Sequence, residues 1–418
     1  MKRKKKAEMQ VDKNTREDTD EVIDKVLAEL REEDGLQEEI DEQVRRHVKS
    51  RRIRIIVAGV LLVTAAVAVF LLIHLQTYTS ARTVASYEIG SSGSESYLEF
   101  ADGVLKYSKD GIAFMDRKGE ERWNQPYQIK NPVVSTYSGD AAAVADKGGN
   151  TIMVLDRDGL KGEMQTALPI EKVTVSAQGI VCAVLKDDPS PRILCYDAAG
   201  TVLAELTTSL TGTGYPMDVS ISEDGTLLLV SYLCVQDGQL LTKIKYYSFK
   251  GEKDASKDYE VTADEYQEMV AASAFFINGD TSVVAGDDRL LFYKGEGEPE
   301  LAETVTLDKK IKSVFHNDRY VGLVLKNEGS TGYEVRLFNA SGRNVMSETV
   351  TGDYANVKIS GSQVLMYDGK KCSVFTRTGI HKFEGELENN ILEIFPVLGV
   401  NKYIVMNANG MEVVRFVK

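Results

Sequence analysis

One short phrase recurs through the chain after residue 110, and it limits the folds open to this sequence more than any other feature. Each copy has two apolar residues, an anchor residue, two further residues and a glycine, as in "FMDRKG" at 114–119. The anchors are Asp116, Asp156, Asp197, Ser248, Lys294, Asn339 and Thr376, and the glycines are Gly119, Gly159, Gly200, Gly251, Gly297, Gly342 and Gly379. Successive anchors are 37 to 51 residues apart, and self-similarity at such a period indicates a repeat architecture.

The phrase has the chemistry of a strand that ends in a tight hairpin turn. The anchor side chain can bind the backbone of the turn, and glycine can take the positive φ that a bulged loop requires. Two β-branched runs precede each phrase and one follows it, as "PVVSTYS", "AAAVADK" and "LKGEMQT" do around Asp156. Four strands per unit at this period predict an all-β fold, a β-propeller.

The two ends of the repeat region predict how the ring closes. The segment "MEVVRFVK" begins an eighth copy with Arg415 at the anchor position, and Thr83–Ile89 resembles the outer strands of the other units. We therefore predict eight blades closed by this N-terminal strand, which removes exposed sheet edges. Seven blades is the alternative, because the fourth unit is irregular. There Thr262 and Glu265 match a helix capping box and predict a short inserted helix, either on a binding rim or as filler.

An apolar segment precedes the repeats. Residues 55–73 carry no charge, and as a helix they would span about 28 Å, close to the thickness of a bilayer's hydrocarbon core. The basic cluster at 45–54 predicts a cytoplasmic N-terminus in the plasma membrane. We expect a charged tail (1–54), an uncleaved transmembrane anchor (55–78) and an extracytoplasmic propeller (79–418). A cleaved signal peptide is the competing interpretation.

The tail carries a helical pattern of its own over residues 17–48, with a narrow apolar stripe on a charged helix. The stripe is either a docking face for a partner helix or part of a marginal helix whose basic end holds the anionic leaflet.

Charge and cysteine content exclude some classes of protein. Basic and acidic residues balance in 1–54, so the net charge of −13 belongs to the rest of the chain, which argues against nucleic acid binding. Four cysteines are too few for a disulfide scaffold. In the hairpin "GIVCAVLKDDPSPRILCYD", Cys182 and Cys195 either form a cross-strand bond or remain two small core residues.

The copy "AFMDRKGEERWNQ" at 113–125 resembles the repeat of quinoprotein-type propellers, with Asp116, Gly119 and Trp123 matching its Asp-x-x-Gly-x-x-x-Trp motif. The chain also resembles, in overall plan, a family of unknown function from Gram-positive bacteria whose propellers have a single membrane anchor. The quinoprotein resemblance implies that the protein belongs to one of two functional branches of that superfamily. Dehydrogenases bind pyrroloquinoline quinone and calcium beneath a disulfide of adjacent cysteines, whereas envelope-assembly scaffolds bind proteins without a cofactor. This sequence has no adjacent cysteines and looks more like the second branch.

A search for chemistry yields no catalytic, cofactor-binding or metal-binding residues. Motifs of zinc hydrolases, thiol redox proteins, serine hydrolases and P-loop proteins do not occur. His316 and His381 belong to different blades and are interpreted as isolated surface residues. The repeat anchors are interpreted as structural.

These observations predict a protein-binding scaffold or accessory subunit of a cell-envelope complex, with a partner on a propeller rim. The alternative is a sensor whose propeller binds an envelope ligand and whose tail helix relays the signal. A third possibility is a cofactor-free hydrolase or lyase, which clustered polar side chains from several blades in the central channel would favour.

Overall fold

The computed structural model describes residues 22, 25, 45, 47–49, 51–72, 75–89, 94–137, 141–250, 259–327, 332–397 and 401–418. The chain divides into two units, Met1–Gln76 and Thr77–Lys418. In the first unit, helix α1 covers His47–Leu72 and is long and apolar enough to cross a membrane, a test that signal sequences also meet. Val22, Lys25, Arg45, His47 and Val48 are helical, and the other residues of the predicted tail helix lie outside the described residues.

The second unit consists of eight four-stranded antiparallel sheets, so eight blades are confirmed. Blade 1 consists of β2–β5 (Ser96–Phe100, Gly103–Tyr107, Gly111–Asp116, Glu121–Pro126), and blade 2 consists of β6–β9 (Pro132–Tyr137, Ala141–Asp146, Thr151–Asp156, Gly159–Gln165). Blade 3 consists of β10–β13 (Ile170–Val175, Val181–Leu185, Arg192–Tyr196, Val202–Thr207). Blade 4 consists of β14–β17 (Tyr215–Ile221, Leu227–Gln236, Gln239–Ser248, Glu260–Gln267). Blades 5 to 7 are β18–β21 (Ala271–Phe276, Thr281–Gly286, Arg289–Lys294, Glu300–Thr306), β22–β25 (Ile311–His316, Tyr320–Lys326, Tyr333–Asn339, Asn344–Val350) and β26–β29 (Asn356–Ser360, Gln363–Asp368, Lys371–Thr376, His381–Glu386). Blade 8 is β30–β32 (Glu393–Pro396, Lys402–Asn407, Gly410–Val417) with β1 (Ser80–Glu88).

The hydrophobic core lies between the blades. Eight clusters of buried side chains each join two adjacent sheets, from the pair formed by blades 1 and 2 to the pair formed by blades 8 and 1. Each blade therefore buries both faces of its sheet. The apolar runs in the second and third strands of each blade supply most of these side chains, because those strands are covered on both sides.

The N-terminal strand closes the ring, as predicted. Strand β1 pairs antiparallel with β32, from Ser80 opposite Val417 to Glu88 opposite Gly410. It begins three residues earlier than the predicted Thr83. This pairing completes the last sheet and covers an edge of β32 that would otherwise be free.

The recurring phrase forms the turn between the third and the outer strand. In blade 1, Oδ1 of Asp116 accepts hydrogen bonds from the amides of Lys118 (2.8 Å) and Glu120 (3.0 Å), and Gly119 has a φ of +77°. A register shift next to the turn marks the bulge. Equivalent turns in blades 2, 3, 6 and 7 also have glycine at positive φ, namely Gly159, Gly200, Gly342 and Gly379.

Two copies of the phrase differ from this pattern. In blade 5 the positive φ (+135°) belongs to Gly295, so the prediction that Gly297 would fill this role after Lys294 is wrong. In blade 4, Oγ of Ser248 accepts a hydrogen bond from the amide of Lys250 (3.3 Å). Gly251 lies outside the described residues.

The helix predicted in the fourth unit is also wrong, because Glu260–Gln267 is the outer strand β17. Its carboxylates pair across to β16: Glu265 lies 2.9 Å from Lys243, and Glu260 lies 2.6 Å from Lys245. Glu265 therefore forms an ion pair with the neighbouring strand instead of a helix cap. A ten-residue partner strand stabilises the extended form more than a local capping pattern stabilises one turn of helix.

Cys182 and Cys195 lie opposite each other in β11 and β12 and form a disulfide. Both are fully buried between blades 3 and 4. Of the two alternatives left by the sequence, the structure has the cross-strand bond.

Candidate binding site at the channel mouth

The first strand of each blade lines a central channel. The loops after these strands and the anchor turns lie at the same end of the sheets, and we call this side of the ring the anchor face. On it, residues from blades 1, 2, 5, 6 and 7 surround a cavity of about 400 Å³. We call this cavity the channel mouth. Its polar side chains include Glu99, Tyr137, His316, Asn317 and Ser360.

Hydrogen bonds between blades hold the polar groups of the channel mouth in place. Oγ of Ser360 in blade 7 donates to Oε2 of Glu99 in blade 1 (2.6 Å). Nδ2 of Asn317 in blade 6 donates to the carbonyl of Gly361 in blade 7 (2.9 Å). Lys358 pairs with Glu393 and lies 3.9 Å from Glu99. The site is therefore ordered before any ligand arrives, which lowers the entropic cost of binding.

His316 lines the cavity and is exposed. Its ring stacks on Phe275, with 3.7 Å between the ring centroids and an angle of 4°. The enclosing blades disfavour the charged imidazolium and lower the pKa of His316 to about 4. Because the side chain is exposed to the channel, water moderates this effect, but the direction makes His316 neutral at pH 7.

Tyr137 faces a negative environment. Burial raises its pKa to about 12, and the carboxylates of Glu223, Asp224 and Asp318 add to that shift. The phenol therefore stays protonated and can donate a hydrogen bond to a ligand.

These groups are suited to binding. Within the described part of the chain, His316 has no hydrogen bond to a hydroxyl or thiol, so it is not paired with a nucleophile. The mouth does gather polar side chains from several blades, the arrangement named above as favouring a site in the channel. His316 is exposed, as interpreted from the sequence, but it is not isolated, because its ring stacks on Phe275 and it lines the channel mouth. Among the described residues, no group of three His, Cys, Asp or Glu side chains is positioned to hold a metal ion.

The predicted repeat residues lie elsewhere, because none of them lines the channel mouth. They connect neighbouring blades at a larger radius. Nε1 of Trp123 in blade 1 donates to the carbonyl of Arg157 in blade 2 (3.0 Å). A Cβ added at Gly159 would lie 3.8 Å from the same indole. That is an ordinary van der Waals distance, so glycine is favoured at position 159 by its φ of +117° and not by a close approach to the indole.

The channel mouth is not apparent in the sequence because its members are far apart in the chain, as Glu99 and Ser360 are. A usable signal was present in the repeat itself: residues at the end of each first strand share one position. Glu99, Tyr137, His316 and Ser360 all lie within the last two residues of a first strand.

Three solved protein structures are similar to this chain, each at low sequence identity. The Pan2 WD40 domain of Neurospora crassa is similar at 8% identity and a TM-score of 0.41, over 69% of this chain and 91% of that one. BBS1N, crystallised with ARL6DN, is similar at 12% identity and 0.40, over 82% and 97%. A eukaryotic initiation factor is similar at 9% identity and 0.43, over 73% and 91%. Similarity at this level says nothing about binding or activity, and no curated protein matches the chain.

The family match covers most of the sequence, from residue 74 to residue 416. It includes all eight blades. The chain therefore belongs to DUF5711, a family of unknown function.

Proposed function

We propose that this protein is a membrane-anchored, extracytoplasmic β-propeller that acts as a protein-binding scaffold or accessory subunit of a cell-envelope complex. The observation that carries this proposal is the hairpin of blade 4. Strands β15 and β16 have ten residues each, and they continue past Tyr215, where β14 begins. We call Val235–Leu240 the blade 4 tip.

The tip displays aliphatic side chains to solvent. Val235 is 64% exposed, and Leu240, its partner across the hairpin, is 45% exposed. Asp237 and Gly238 form the turn with positive φ values of 53° and 82°. Burying a valine or leucine side chain is worth about 1.5 to 3 kcal/mol. A protein partner that covers both side chains would gain that energy.

The tip lies on the opposite side of the ring from the anchor face, and it interrupts an otherwise regular repeat. In repeat proteins, local additions concentrate on the binding face. Next to it, Tyr215 lines a cavity of about 430 Å³ together with Lys172 and Met217. An apolar projection beside a concavity with both polar and apolar walls suits a protein partner better than a small ligand.

Two observations support the cellular location. The apolar part of helix α1 follows the basic cluster at 45–54, and such clusters are typical of the cytoplasmic end of a membrane anchor. The buried disulfide between Cys182 and Cys195 is typical of proteins that fold in oxidising compartments. The resemblance to cofactor-free quinoprotein-type scaffolds agrees with both.

In-cell crosslinking with mass spectrometry tests the proposal. The variant Val235→Ser/Leu240→Ser should lose an external partner that the unmodified protein captures. Its matched control is Val202→Ser/Leu203→Ser, which changes two aliphatic residues of β13 that are 51% and 42% exposed. Equal capture by both variants would reject the blade 4 tip as the binding surface. A reporter enzyme that is active only outside the cytoplasm, fused after Lys418, tests the location.

A transmembrane sensor is the second candidate, and the channel mouth favours it as a place for an envelope ligand. Crosslinking a chain that lacks residues 1–44 separates the two. Loss of cytoplasmic partners upon truncation would support the sensor. External partners retained by both chains would support the scaffold.

A further inference from the structure

A second concavity lies on the anchor face, between blades 1 and 2, and no role proposed above uses it. Its volume is about 590 Å³. Four cationic side chains line it: Arg117, Lys118, Arg122 and Arg157. Trp123 forms part of its wall. We call it the blade 1–2 pocket.

The anchor turn fixes the basic side chains at this pocket. Arg117 and Lys118 are the two residues between the anchor Asp116 and Gly119, so the turn presents both at its tip. Nη2 of Arg122 donates to Oδ2 of Asp116 (2.5 Å), which neutralises that carboxylate. Arg117 and Lys118 are exposed, and neither has an ion pair within the described residues.

The fold does not require basic residues at these positions. The equivalent positions are Ala198 and Ala199 in blade 3, and Ala340 and Ser341 in blade 6. The same turn forms there without charge, because the anchor and the glycine make its hydrogen bonds. The turns of blades 1 and 2 therefore do not require Arg117, Lys118 and Arg157 for their own structure.

The side chains that line the pocket carry a net positive charge, whereas the protein as a whole is negative. The chain carries a net charge of −13, whereas four cations in the pocket face the carboxylates of Asp102, Asp116 and Asp158. Concentrated positive charge on a negative protein attracts anions locally. The indole of Trp123 is held by its bond to the carbonyl of Arg157 and packs near Phe114, with 6.0 Å between ring centroids. It supplies a rigid apolar wall beside the charges.

We propose that the blade 1–2 pocket binds an oxyanion that carries two or more negative charges, a phosphate ester or a polycarboxylate. Arg117 and Lys118 contact the anion, and guanidinium groups match the paired oxygens of either class. Trp123 packs against the group attached to the anion. Arg122 stays engaged with Asp116 and keeps the turn in shape.

The protein contains one tryptophan, so its fluorescence reports directly on this pocket. The full chain in mild detergent is titrated separately with pyrophosphate and with citrate, and with sodium chloride at matched ionic strength. We expect a saturable change in Trp123 fluorescence with at least one of the two anions and none with chloride.

Matched variants test the assignment. Arg117→Ser/Lys118→Ser should weaken binding at least tenfold. The control Lys370→Ser/Lys371→Ser removes the same charge from an exposed turn at the other end of blade 7, and it should change the affinity less than twofold. Circular dichroism verifies that both variants fold.

The response to each anion identifies the class of ligand. A response to pyrophosphate alone assigns a phosphate ligand, a response to citrate alone assigns a polycarboxylate, and a response to both supports recognition of charge and oxygen geometry. Absence of a saturable change with both anions would overturn the proposal, and so would an unchanged affinity in Arg117→Ser/Lys118→Ser. The result is independent of the blade 4 tip and its partner.

Discussion

Blade 1 and blade 4 each pack against the next blade through a hydrophobic cluster, but the polar contacts beside that cluster come from different parts of the sheet. Blade 1 uses the outer rim, where Trp123 reaches the turn of blade 2. Blade 4 uses polar groups on its first three strands, most of them buried. Oδ2 of Asp218 accepts the amide of Ala274 (2.9 Å), and Oγ of Ser231 donates to the carbonyl of Ala271 (2.7 Å).

More such bonds join blades 4 and 5. Oγ1 of Thr242 donates to the carbonyl of Met269, and the hydroxyls of Tyr246 and Ser282 lie 2.8 Å apart. A blade held through its inner strands does not need a standard turn at the rim. This difference explains how blade 4 can depart from the repeat while the ring remains closed.

The largest expected effect comes from removing the buried bonds between blades 4 and 5. The triple variant Ser231→Ala/Thr242→Val/Tyr246→Phe leaves two buried carbonyls and one hydroxyl without their partners. It should lower the free energy of unfolding by about 3 to 5 kcal/mol. Denaturant titration followed by circular dichroism measures it. A loss below about 1 kcal/mol would contradict the view that these bonds hold blade 4 in the ring.

Trp123→Ala tests the rim contact of blade 1. The indole is half-buried, so removing it should cost about 2 to 3 kcal/mol, less than a fully buried tryptophan. Trp123→Phe keeps an aromatic ring against Gly159 and loses one hydrogen bond, so it should cost about 1 kcal/mol. Equal losses in the two variants would mean that the hydrogen bond, and not the packing, carries the contact.

Two glycine variants compare a copy of the phrase whose glycine has a positive φ with the copy in blade 5, where Gly295 has it instead. Gly119→Ala puts a side chain at positive φ and brings its Cβ to 3.1 Å from Cβ of Tyr87. It should cost about 1 to 2 kcal/mol. Gly297 has no atom within 4 Å of an added Cβ, so Gly297→Ala should change stability by less than about 0.5 kcal/mol. Thermal unfolding of both variants side by side provides the comparison.

The smallest expected effect concerns pH. Partial burial opposes ionisation of Asp116, but the amides of Lys118 and Glu120 and the Arg122 guanidinium lower its pKa overall. Its folded pKa is below its unfolded value of about 4, so its contribution is present above that pH and is lost as the pH falls through the folded pKa.

Asp116→Asn should therefore flatten the decline in stability between about pH 5 and pH 2. Asn339 makes the same two turn bonds in blade 6, each at 3.0 Å, so the turn itself should survive the change. Stability curves of equal slope for the variant and the unmodified protein would contradict the pKa shift.

Much of the fold could be predicted from the sequence because it depends on local chemistry repeated many times. Asp116 with Gly119 predicts a turn wherever it occurs, and the spacing of the copies predicts the blade. Local chemistry also explains the error in blade 4. Thr262 and Glu265 fit a helix cap, but whether Glu265 caps a helix or pairs with Lys243 depends on a strand formed more than twenty residues earlier.

The candidate sites depend on contacts between distant residues, which the repeat pattern does not contain. His316 looks isolated in the sequence because its neighbours in the channel mouth belong to other blades. Arg117 and Lys118 look like ordinary turn residues until blade 2 brings Arg157 beside them. The disulfide was accessible as an alternative because Cys182 and Cys195 belong to one hairpin, so pairing within that hairpin was enough to suggest it.

The pairing of β1 with β32 imposes an order on biosynthesis. Ser80 and Val417 are separated by 337 residues. At translation rates of 5 to 20 residues per second, the ribosome releases β1 roughly 20 to 70 seconds before its partner strand exists. During that interval β1 has no native neighbour in its sheet, and blade 1 lacks one of its two packing faces. A premature stop codon near Gly410 would make that condition permanent, and the truncated chain, although it contains seven blades, should be degraded as an unfolded protein.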